Sequence, residues 1–162
     1  MARKALFLDR DGVINVDHGY VGRIEDFTFV PDILEFIKNV QARGFVPIVV
    51  TNQSGIGRGY YSLEDFERLS AWMIDRMQEA GIAIDRSHIF SCPHAPEERC
   101  GCRKPEPGMF LDAAKRFGID LGASVMIGDK KSDIEAARRA GVGRSYLIAP
   151  NQPLHIEDFD GF

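Results

Sequence analysis

The sequence predicts an α/β fold, a Rossmann-like and doubly wound parallel sheet with helices on both faces. Short apolar runs alternate along the chain with segments of helical periodicity, and polar or acidic residues follow directly after several of these runs. This alternation is typical of parallel sheets, because neighbouring parallel strands are joined by a helical crossover. With 162 residues and 44% hydrophobic side chains, the chain is expected to form a single domain over residues 1–162.

The predicted strands are compact apolar runs. The first covers residues 5–8, and the second covers residues 45–50 and is rich in β-branched side chains. Shorter runs predict three further strands, at 88–91, 125–127 and 145–148.

The predicted helices carry apolar residues at intervals of three and four positions. The first extends from about residue 33 to a stop at residue 44, and the third covers residues 109–117. Between them, Ser62 is expected to cap a helix that continues to residue 81. The last helix is predicted to open with a capping-box pair, Ser132 and Glu135.

Composition and the chain ends limit the classes of partner. Residues 150–162 lack periodicity and are expected to run irregularly over the surface. The apolar run near residue 5 is shorter than the roughly 7–15 residues of a signal peptide, and no run approaches the ~18 residues of a membrane span. A net charge of −4 gives no global attraction to nucleic acid. We therefore expect a cytoplasmic monomer that acts on a small molecule, without membrane or nucleic-acid partners.

Polar side chains follow four of the apolar segments, at points that a parallel sheet brings to one edge. They are Asp9 with Asp11, Thr51 with Asn52, Arg103 with Lys104, and Asp129 with Lys130. Carboxylates close to one another repel unless a cation neutralises them, and hard oxygen ligands suit Mg²⁺.

Such a group of side chains can support phosphoryl transfer. One aspartate can attack phosphorus, and a carboxylate two residues along can act as general acid and then as general base. Taken alone, the Asp9 to Gly12 segment is more often a turn after a strand. Its combination with the other strand ends favours the catalytic interpretation.

Four segments carry a resemblance to a known superfamily: "FLDRDGVIN", "VVTNQSGIGRG", "CRKPEPGM" and "MIGDKKSDI". Together they resemble the four signature motifs of the haloacid dehalogenase (HAD) superfamily of phosphohydrolases, over about residues 5–148. Many members carry a large cap domain, for which this chain has no room. The resemblance therefore implies a capless HAD fold whose site is bordered by loops.

The resemblance also implies roles for individual residues. Asp9 would be the nucleophile and Asp11 the acid/base, with Thr51 and Lys104 holding the phosphoryl group. Mg²⁺ would be bound by Asp9, Asp129 and the backbone carbonyl of Asp11. Asp133 would lie nearby without contacting the ion directly.

The three cysteines are gathered in one short loop. Cys92, Cys100 and Cys102 surround His94, and Arg103 follows immediately. A disulfide would leave one cysteine over and is disfavoured in a reducing compartment. Three thiolates and an imidazole form the closed donor set of a structural zinc site. We expect Zn²⁺ to order this loop and to fix the direction of Arg103 and of the lysine after it.

Such a loop resembles those of the heptose-bisphosphate and histidinol-phosphate phosphatases. The segments "NVDHGYV" and "TNQSGIGRGYY" resemble the D-glycero-D-manno-heptose-1,7-bisphosphate 7-phosphatases, although residues 17–19 alone would indicate a plain turn. The implied reaction is removal of the 7-phosphate during synthesis of bacterial surface heptose. The expected substrate-binding residues are Asp17, His18, Gly19, Tyr20, Asn52, Gln53, Ser54, Arg103 and Lys130.

Three alternatives stay open at this point. The short cysteine spacing resembles the histidinol-phosphate branch as much as the heptose branch. A phospho-accepting signalling domain would also use a strand-end aspartate, Mg²⁺ and a lysine, although Asp11 favours turnover over storage of the phosphoryl group. A zinc-stabilised nucleic-acid module is disfavoured by the net charge.

Overall fold

Five parallel strands form the centre of the structure, a computed structural model that describes residues 2–162. The strands are β1 (Lys4–Leu8), β2 (Phe45–Asn52), β3 (Ile89–Cys92), β4 (Val125–Gly128) and β5 (Arg144–Leu147). Their order across the sheet is β3-β2-β1-β4-β5. Because β1 pairs with β2 on one side and with β4 on the other, the residues after β1 lie at the middle of the carboxyl edge.

Helices cover both faces of this sheet. They are α1 (Ile33–Ala42), the one-turn α2 (Ser54–Gly57), α3 (Leu63–Glu79), α4 (Gly108–Phe117) and α5 (Lys131–Ala140). Single 3₁₀ turns occur at Ile24–Asp26, Arg86–His88, Pro96–Glu98, Leu121–Ala123 and Ile156–Asp158. Within residues 2–162, no helix combines the length and the apolar character needed to cross a lipid bilayer.

The sheet divides the core into two layers, because successive side chains of a strand point to opposite faces. Leu6 and Leu8 of β1 pack with the apolar faces of α1 and α3. Phe7 points to the other face and packs with α4, where its ring centroid lies 4.9 Å from that of Phe110. The fold is therefore doubly wound, as the strand and helix alternation predicts.

The predicted elements are found, but the predicted start of α5 is wrong. The N-cap is Lys130 rather than Ser132, and the Lys130 amide donates a hydrogen bond to Asp133 Oδ2 at 3.1 Å. Asp133 takes the place expected for Glu135, whose carboxylate pairs instead with Arg138 and Arg139 on the exposed face. The helix α2 was not predicted, because its sequence "SGIG" has little helical propensity.

The segment after β5 also departs from expectation. It is largely irregular, but it is not only surface chain, because Leu154 is buried in the core. Further along, the rings of Phe159 and Phe162 lie 5.6 and 6.0 Å from the ring of Phe36 on α1. This aromatic cluster packs the segment against α1, and no periodic pattern in the sequence indicates it.

The carboxyl edge of the sheet has no separate cap domain over it in the described chain. The connection between β1 and α1, residues 9–32, contains a single 3₁₀ turn. The edge is bordered by this connection, by the residues after β2, and by the loop between β3 and α4. The capless arrangement expected from the sequence is thus the one observed.

Candidate active site

A buried lysine joins two carboxylates at the middle of the carboxyl edge. Lys104 Nζ lies 3.1 Å from Asp9 Oδ1 and 2.6 Å from Asp133 Oδ1, and it donates to the Val50 carbonyl at 2.9 Å. Asp9 follows β1, Asp133 lies in the first turn of α5, and Lys104 comes from the loop before α4. All three charged residues are buried, with at most 5% of their surface exposed.

Burial and neighbouring charges shift the pKa of Asp9 and the pKa of Lys104. Burial raises the pKa of Asp9 to about 7, Lys104 opposes this rise, and Asp133, Asp11 and Asp129 add to it. Burial alone would lower the pKa of Lys104, but Asp9 and Asp133 hold it above the ordinary value for lysine. Lys104 and Lys130, whose Nζ lies 3.8 Å from Asp129 Oδ2, do not balance the three carboxylates of Asp9, Asp129 and Asp133. A bound cation would neutralise the remaining negative charge.

The carboxylates beside Asp9 fit a hard divalent cation. Carboxylate oxygens of Asp9, Asp129 and Asp133 lie within 4.8 Å of one another. Among the described residues, Asp129 Oδ1 is buried without a hydrogen-bond partner, as a metal ligand would be in the absence of its ion. At Gly12, with φ of +91°, a Cβ atom would lie 2.2 Å from Asp129 Oδ2. This donor set and its close packing suit Mg²⁺.

The Asp11 carboxylate is held by hydrogen bonds on both oxygens. Its Oδ1 accepts from Arg10 Nη2 at 2.8 Å and from Asn15 Nδ2 at 3.0 Å. Its Oδ2 accepts from Gln53 Nε2 at 3.1 Å. Arg10 is itself buried and donates to the Val21 carbonyl at 2.5 Å. The sequence patterns did not indicate these roles of Arg10 and Asn15, although Arg10 stands between two aspartates.

The residues at the end of β2 and directly after it form a second set of hydrogen bonds. Gln53 Nε2 donates to Thr51 Oγ1 at 2.9 Å as well as to Asp11, and the Tyr61 hydroxyl donates to Gln53 Oε1. Asn52 Oδ1 accepts the Lys104 backbone amide at 3.0 Å. Gln53 thus orients Asp11, and Asn52 orients the backbone at Lys104. Tyr61, which the sequence analysis did not single out, orients Gln53.

These groups surround a cavity of about 490 Å³. Expected site residues in its lining are Asp9, Asp11, Asp17, Gly19, Tyr20, Asn52, Gln53, Ser54, Arg103, Lys104 and Lys130. The other lining residues are Gly55, Tyr61, Pro105, Ser132 and Asp133. A larger hollow of about 810 Å³ lies elsewhere, beside the beginning of β1, and none of the site carboxylates lines it. The smaller cavity is therefore the candidate active site.

Three of the expected residues lie outside this lining. Thr51 is fully buried beneath the cavity, and Asp129 lies behind Asp9 on the side of Gly12. His18 is exposed, and its Nε2 contacts the Asp26 carbonyl at 2.8 Å, outside the cavity. The structure therefore does not bring His18 to the other expected substrate-binding residues.

The cysteine loop brings four soft donors together. The ligand atoms of Cys92, His94, Cys100 and Cys102 all lie within 4.8 Å of one another. His94 Nδ1 is 3.4 Å from Cys92 Sγ and 3.3 Å from Cys102 Sγ, and Cys100 Sγ is 3.4 Å from Cys92 Sγ. Such separations suit the corners of one tetrahedral zinc site.

The sulfurs of Cys92 and Cys102 are close enough in this structure to be joined as a disulfide, which would leave Cys100 free. A disulfide would use two of the four donors and give no reason for His94 and Cys100 to face the same point. Cys100 Sγ also accepts the Arg103 amide at 3.3 Å, so the cluster restrains Arg103. The convergence of all four donors favours a metal site over a disulfide.

Comparisons with known proteins show the family to which the chain belongs. Residues 101–149 match the HAD-hydrolase-like family model. The chain is 52% identical over 163 residues to D-glycero-alpha-D-manno-heptose-1,7-bisphosphate 7-phosphatase of Burkholderia mallei, covering 96% of this chain and 85% of that protein. It is 49% identical over 149 residues to D-glycero-beta-D-manno-heptose-1,7-bisphosphate 7-phosphatase of Helicobacter pylori, covering 91% and 84%.

A solved structure shares the fold. The D,D-heptose 1,7-bisphosphate phosphatase of B. bronchiseptica, complexed with magnesium and phosphate, aligns with a TM-score of 0.81 and 34% identity, covering 87% of this chain and 78% of that one. The matches to these two curated relatives cover more than nine-tenths of the chain. The chain belongs to the D-glycero-D-manno-heptose-1,7-bisphosphate 7-phosphatase family of HAD phosphatases.

Proposed function

We propose that this chain removes the 7-phosphate of D-glycero-D-manno-heptose 1,7-bisphosphate through an aspartyl-phosphate on Asp9. The observation that carries the proposal is the buried contact of Lys104 with Asp9, beside an Asp11 carboxylate that faces the same cavity. A nucleophile, a fixed cation and a second carboxylate are the groups that this reaction requires.

In the first step, an Asp9 carboxylate oxygen attacks phosphorus and the bond from phosphorus to the sugar oxygen breaks. Asp11 gives its proton to the departing oxygen, so that the sugar leaves as a neutral alcohol. In the second step, water attacks the aspartyl-phosphate, Asp11 takes a proton from that water, and inorganic phosphate is released. Arg10, Asn15 and Gln53 keep Asp11 oriented for both transfers.

The phosphoryl group would be held by Lys104 and the Thr51 hydroxyl. Thr51 Oγ1 accepts from Gln53 at 2.9 Å and donates to the Asn52 carbonyl over a long 3.4 Å contact. The hydroxyl would exchange this long contact for a shorter hydrogen bond to a phosphoryl oxygen. Mg²⁺, bound by Asp9, Asp129 and the Asp11 backbone carbonyl, would neutralise the charge that these carboxylates share with the phosphate.

The outer part of the cavity would bind the sugar and its other phosphate. Arg103 and Lys130 lie in the lining and supply positive charge, which suits a bisphosphate better than a monophosphate. Asp17, Gly19, Tyr20, Asn52, Gln53 and Ser54 supply polar and aromatic groups for the sugar. A role of His18 in substrate binding stays a prediction from the resemblance.

We propose that Zn²⁺ is the metal ion bound by the cysteine loop. There it would order the backbone that leads into Arg103 and Lys104. A short polar loop has little core of its own, so metal binding would supply its folding energy. The zinc would thus act on substrate placement and stability, and the chemical step would rest on the aspartates.

The biological setting follows from the substrate. We place the reaction in the cytoplasm, in synthesis of the heptose of the lipopolysaccharide core. The complete catalytic set lies on one chain, which supports a monomer as the working unit.

The decisive experiment compares kcat/KM for the alpha and beta anomers of the heptose bisphosphate with kcat/KM for histidinol phosphate. We expect the better heptose anomer to be preferred by at least about 100-fold, roughly 3 kcal/mol of transition-state binding. Asp9→Asn protein, purified in parallel, is the control for contaminating phosphatases. Equal or better turnover of histidinol phosphate would contradict the proposal.

A further inference from the structure

A single asparagine after β5 connects two parts of the active site. Asn151 has φ of +65°, the left-handed region that asparagine tolerates better than most residues. Its backbone amide donates to the Gly12 carbonyl at 2.8 Å, and its Oδ1 accepts the Asp17 backbone amide, also at 2.8 Å. One residue therefore holds the turn after Asp11 and the start of the next loop.

The loop that begins at Asp17 borders the substrate cavity. Asp17 Oδ1 accepts the Gly19 amide at 3.0 Å, and Asp17 Oδ2 lies 3.9 Å from Lys130 Nζ. Asp17, Gly19 and Tyr20 all line the cavity. The position of the Asp17 backbone therefore decides where the remainder of this loop meets the substrate.

The other partner of Asn151 has little freedom to move. Gly12 packs so closely on Asp129 that a Cβ atom would overlap its carboxylate. The segment that carries Asn151 is fixed further along by the buried Leu154 and by the contact of Phe159 with Phe36. Asn151 thus lies between the closely packed Gly12 and the buried Leu154, and both restrain its backbone. Its side-chain oxygen is therefore held in place to accept the Asp17 amide.

We propose that Asn151 is a positioning residue that sets the substrate-binding loop at Asp17–Tyr20 relative to the catalytic turn. The proposal rests on the proposed function, because it assigns that loop to the non-reacting part of the substrate. Glycine could adopt the same backbone conformation and donate the same amide, but it lacks the oxygen that Asp17 requires. Asparagine meets both demands at once.

The test removes that oxygen and leaves the backbone as it is. In Asn151→Gly we expect KM for the preferred heptose bisphosphate to rise about five- to tenfold, the effect of losing one hydrogen bond. We expect kcat and the inhibition constant of inorganic phosphate to stay within about twofold, because the catalytic groups are untouched. Gln152→Gly is the matched control, since Gln152 is exposed and makes no hydrogen bond found in the described part of the chain.

A second measurement does not depend on the substrate. The Asp17 amide should exchange its hydrogen about tenfold faster in Asn151→Gly than in the wild type, and Asn151→Asp, which keeps an acceptor, should restore the protection. Wild-type exchange in Asn151→Gly, or a rise in KM matched by an equal rise in the phosphate inhibition constant, would overturn the proposal. If the wild type failed to hydrolyse the heptose bisphosphate while the exchange result held, the proposed substrate would be wrong and the positioning contact would stand.

Discussion

Lys104 Nζ lies closer to Asp133 Oδ1, at 2.6 Å, than to the carboxylate of Asp9, at 3.1 Å. The lysine that is expected to hold the phosphoryl group is therefore also held by Asp133, a residue far from Asp9 in the sequence. Asp133 also accepts the Lys130 amide, so it ties the beginning of α5 to the catalytic lysine. Its role combines helix capping with orientation of a charged group.

Replacing Asp133 by asparagine should therefore lower activity without unfolding the protein. The amide keeps the size of the side chain but loses the charge that draws Lys104 back from Asp9. We expect kcat to fall about 10- to 100-fold, the usual effect of removing a group that supports a catalytic or metal-binding residue. Steady-state kinetics would measure this, with Glu135→Gln on the same helix as control. An Asp133→Asn enzyme with wild-type kcat would show that Lys104 needs no such support.

The two aspartates of the first motif should differ when each is replaced by asparagine. Asp9→Asn replaces the nucleophilic carboxylate by a neutral amide and should reduce turnover by several powers of ten, about 4–8 kcal/mol. Asp11→Asn should still accept the phosphoryl group slowly but should hydrolyse it poorly, so that an acid-stable mass increase of one phosphoryl group accumulates. Intact-protein mass spectrometry after rapid quenching would distinguish the two variants. Retention of a tenth of wild-type kcat by Asp9→Asn would exclude it as nucleophile.

Tyr61 is expected to act through Gln53. The Tyr61 ring is packed so closely beside Gly22 and Gly55 that a Cβ on either glycine would overlap it, and its hydroxyl donates to Gln53 Oε1. Tyr61→Phe keeps the ring and frees the amide to rotate away from Asp11. We expect kcat to fall about tenfold, as for loss of one buried hydrogen bond.

The matched control for this prediction is Tyr60→Phe, since Tyr60 is 60% exposed. A double variant gives the sharper result. In an enzyme that already carries Gln53→Ala, Tyr61→Phe should cause no further loss, because the group it orients is gone. Additive losses in the double variant would mean that Tyr61 acts independently of Gln53.

The cysteine loop should bind one zinc ion per chain that excess Mg²⁺ does not displace, because thiolates prefer the softer ion. Cys100→Ser should weaken zinc binding and lower kcat/KM strongly, while the affinity for Mg²⁺ changes little. Elemental analysis of protein purified without oxygen, together with Mg²⁺ titrations of activity, would measure both effects. Absence of zinc, or a fully active Cys100→Ser enzyme, would support the alternative pairing of Cys92 with Cys102.

Local patterns in the sequence were enough to predict the sheet and to bring Asp9, Asp11, Lys104 and Asp129 to one edge of it. Strand ends in a parallel sheet share an edge, so their residues could be grouped without knowledge of the strand order. The contact between Asn151 and Asp17 could not be foreseen, because it joins residues 134 positions apart through a segment without periodicity.

The wrong cap of α5 has a related cause. Ser132 and Glu135 satisfy the capping-box spacing, but the helix begins earlier, with Lys130 as its N-cap. Asp133 accepts the Lys130 amide while it also contacts Lys104, a tertiary partner that local spacing does not reveal. The structure thus combines the helix cap at Lys130 with a tertiary contact of Asp133 that the sequence spacing alone does not indicate.

The central place of β1 has a consequence for how the enzyme becomes active. Asp9 directly follows β1, yet β1 gains its second neighbour only when β4, more than a hundred residues later in the chain, has been made. Contacts so distant in sequence form late in folding. During refolding, phosphatase activity should therefore return with completion of the sheet, after the early helices have formed, and a chain still being translated should be unable to consume its substrate.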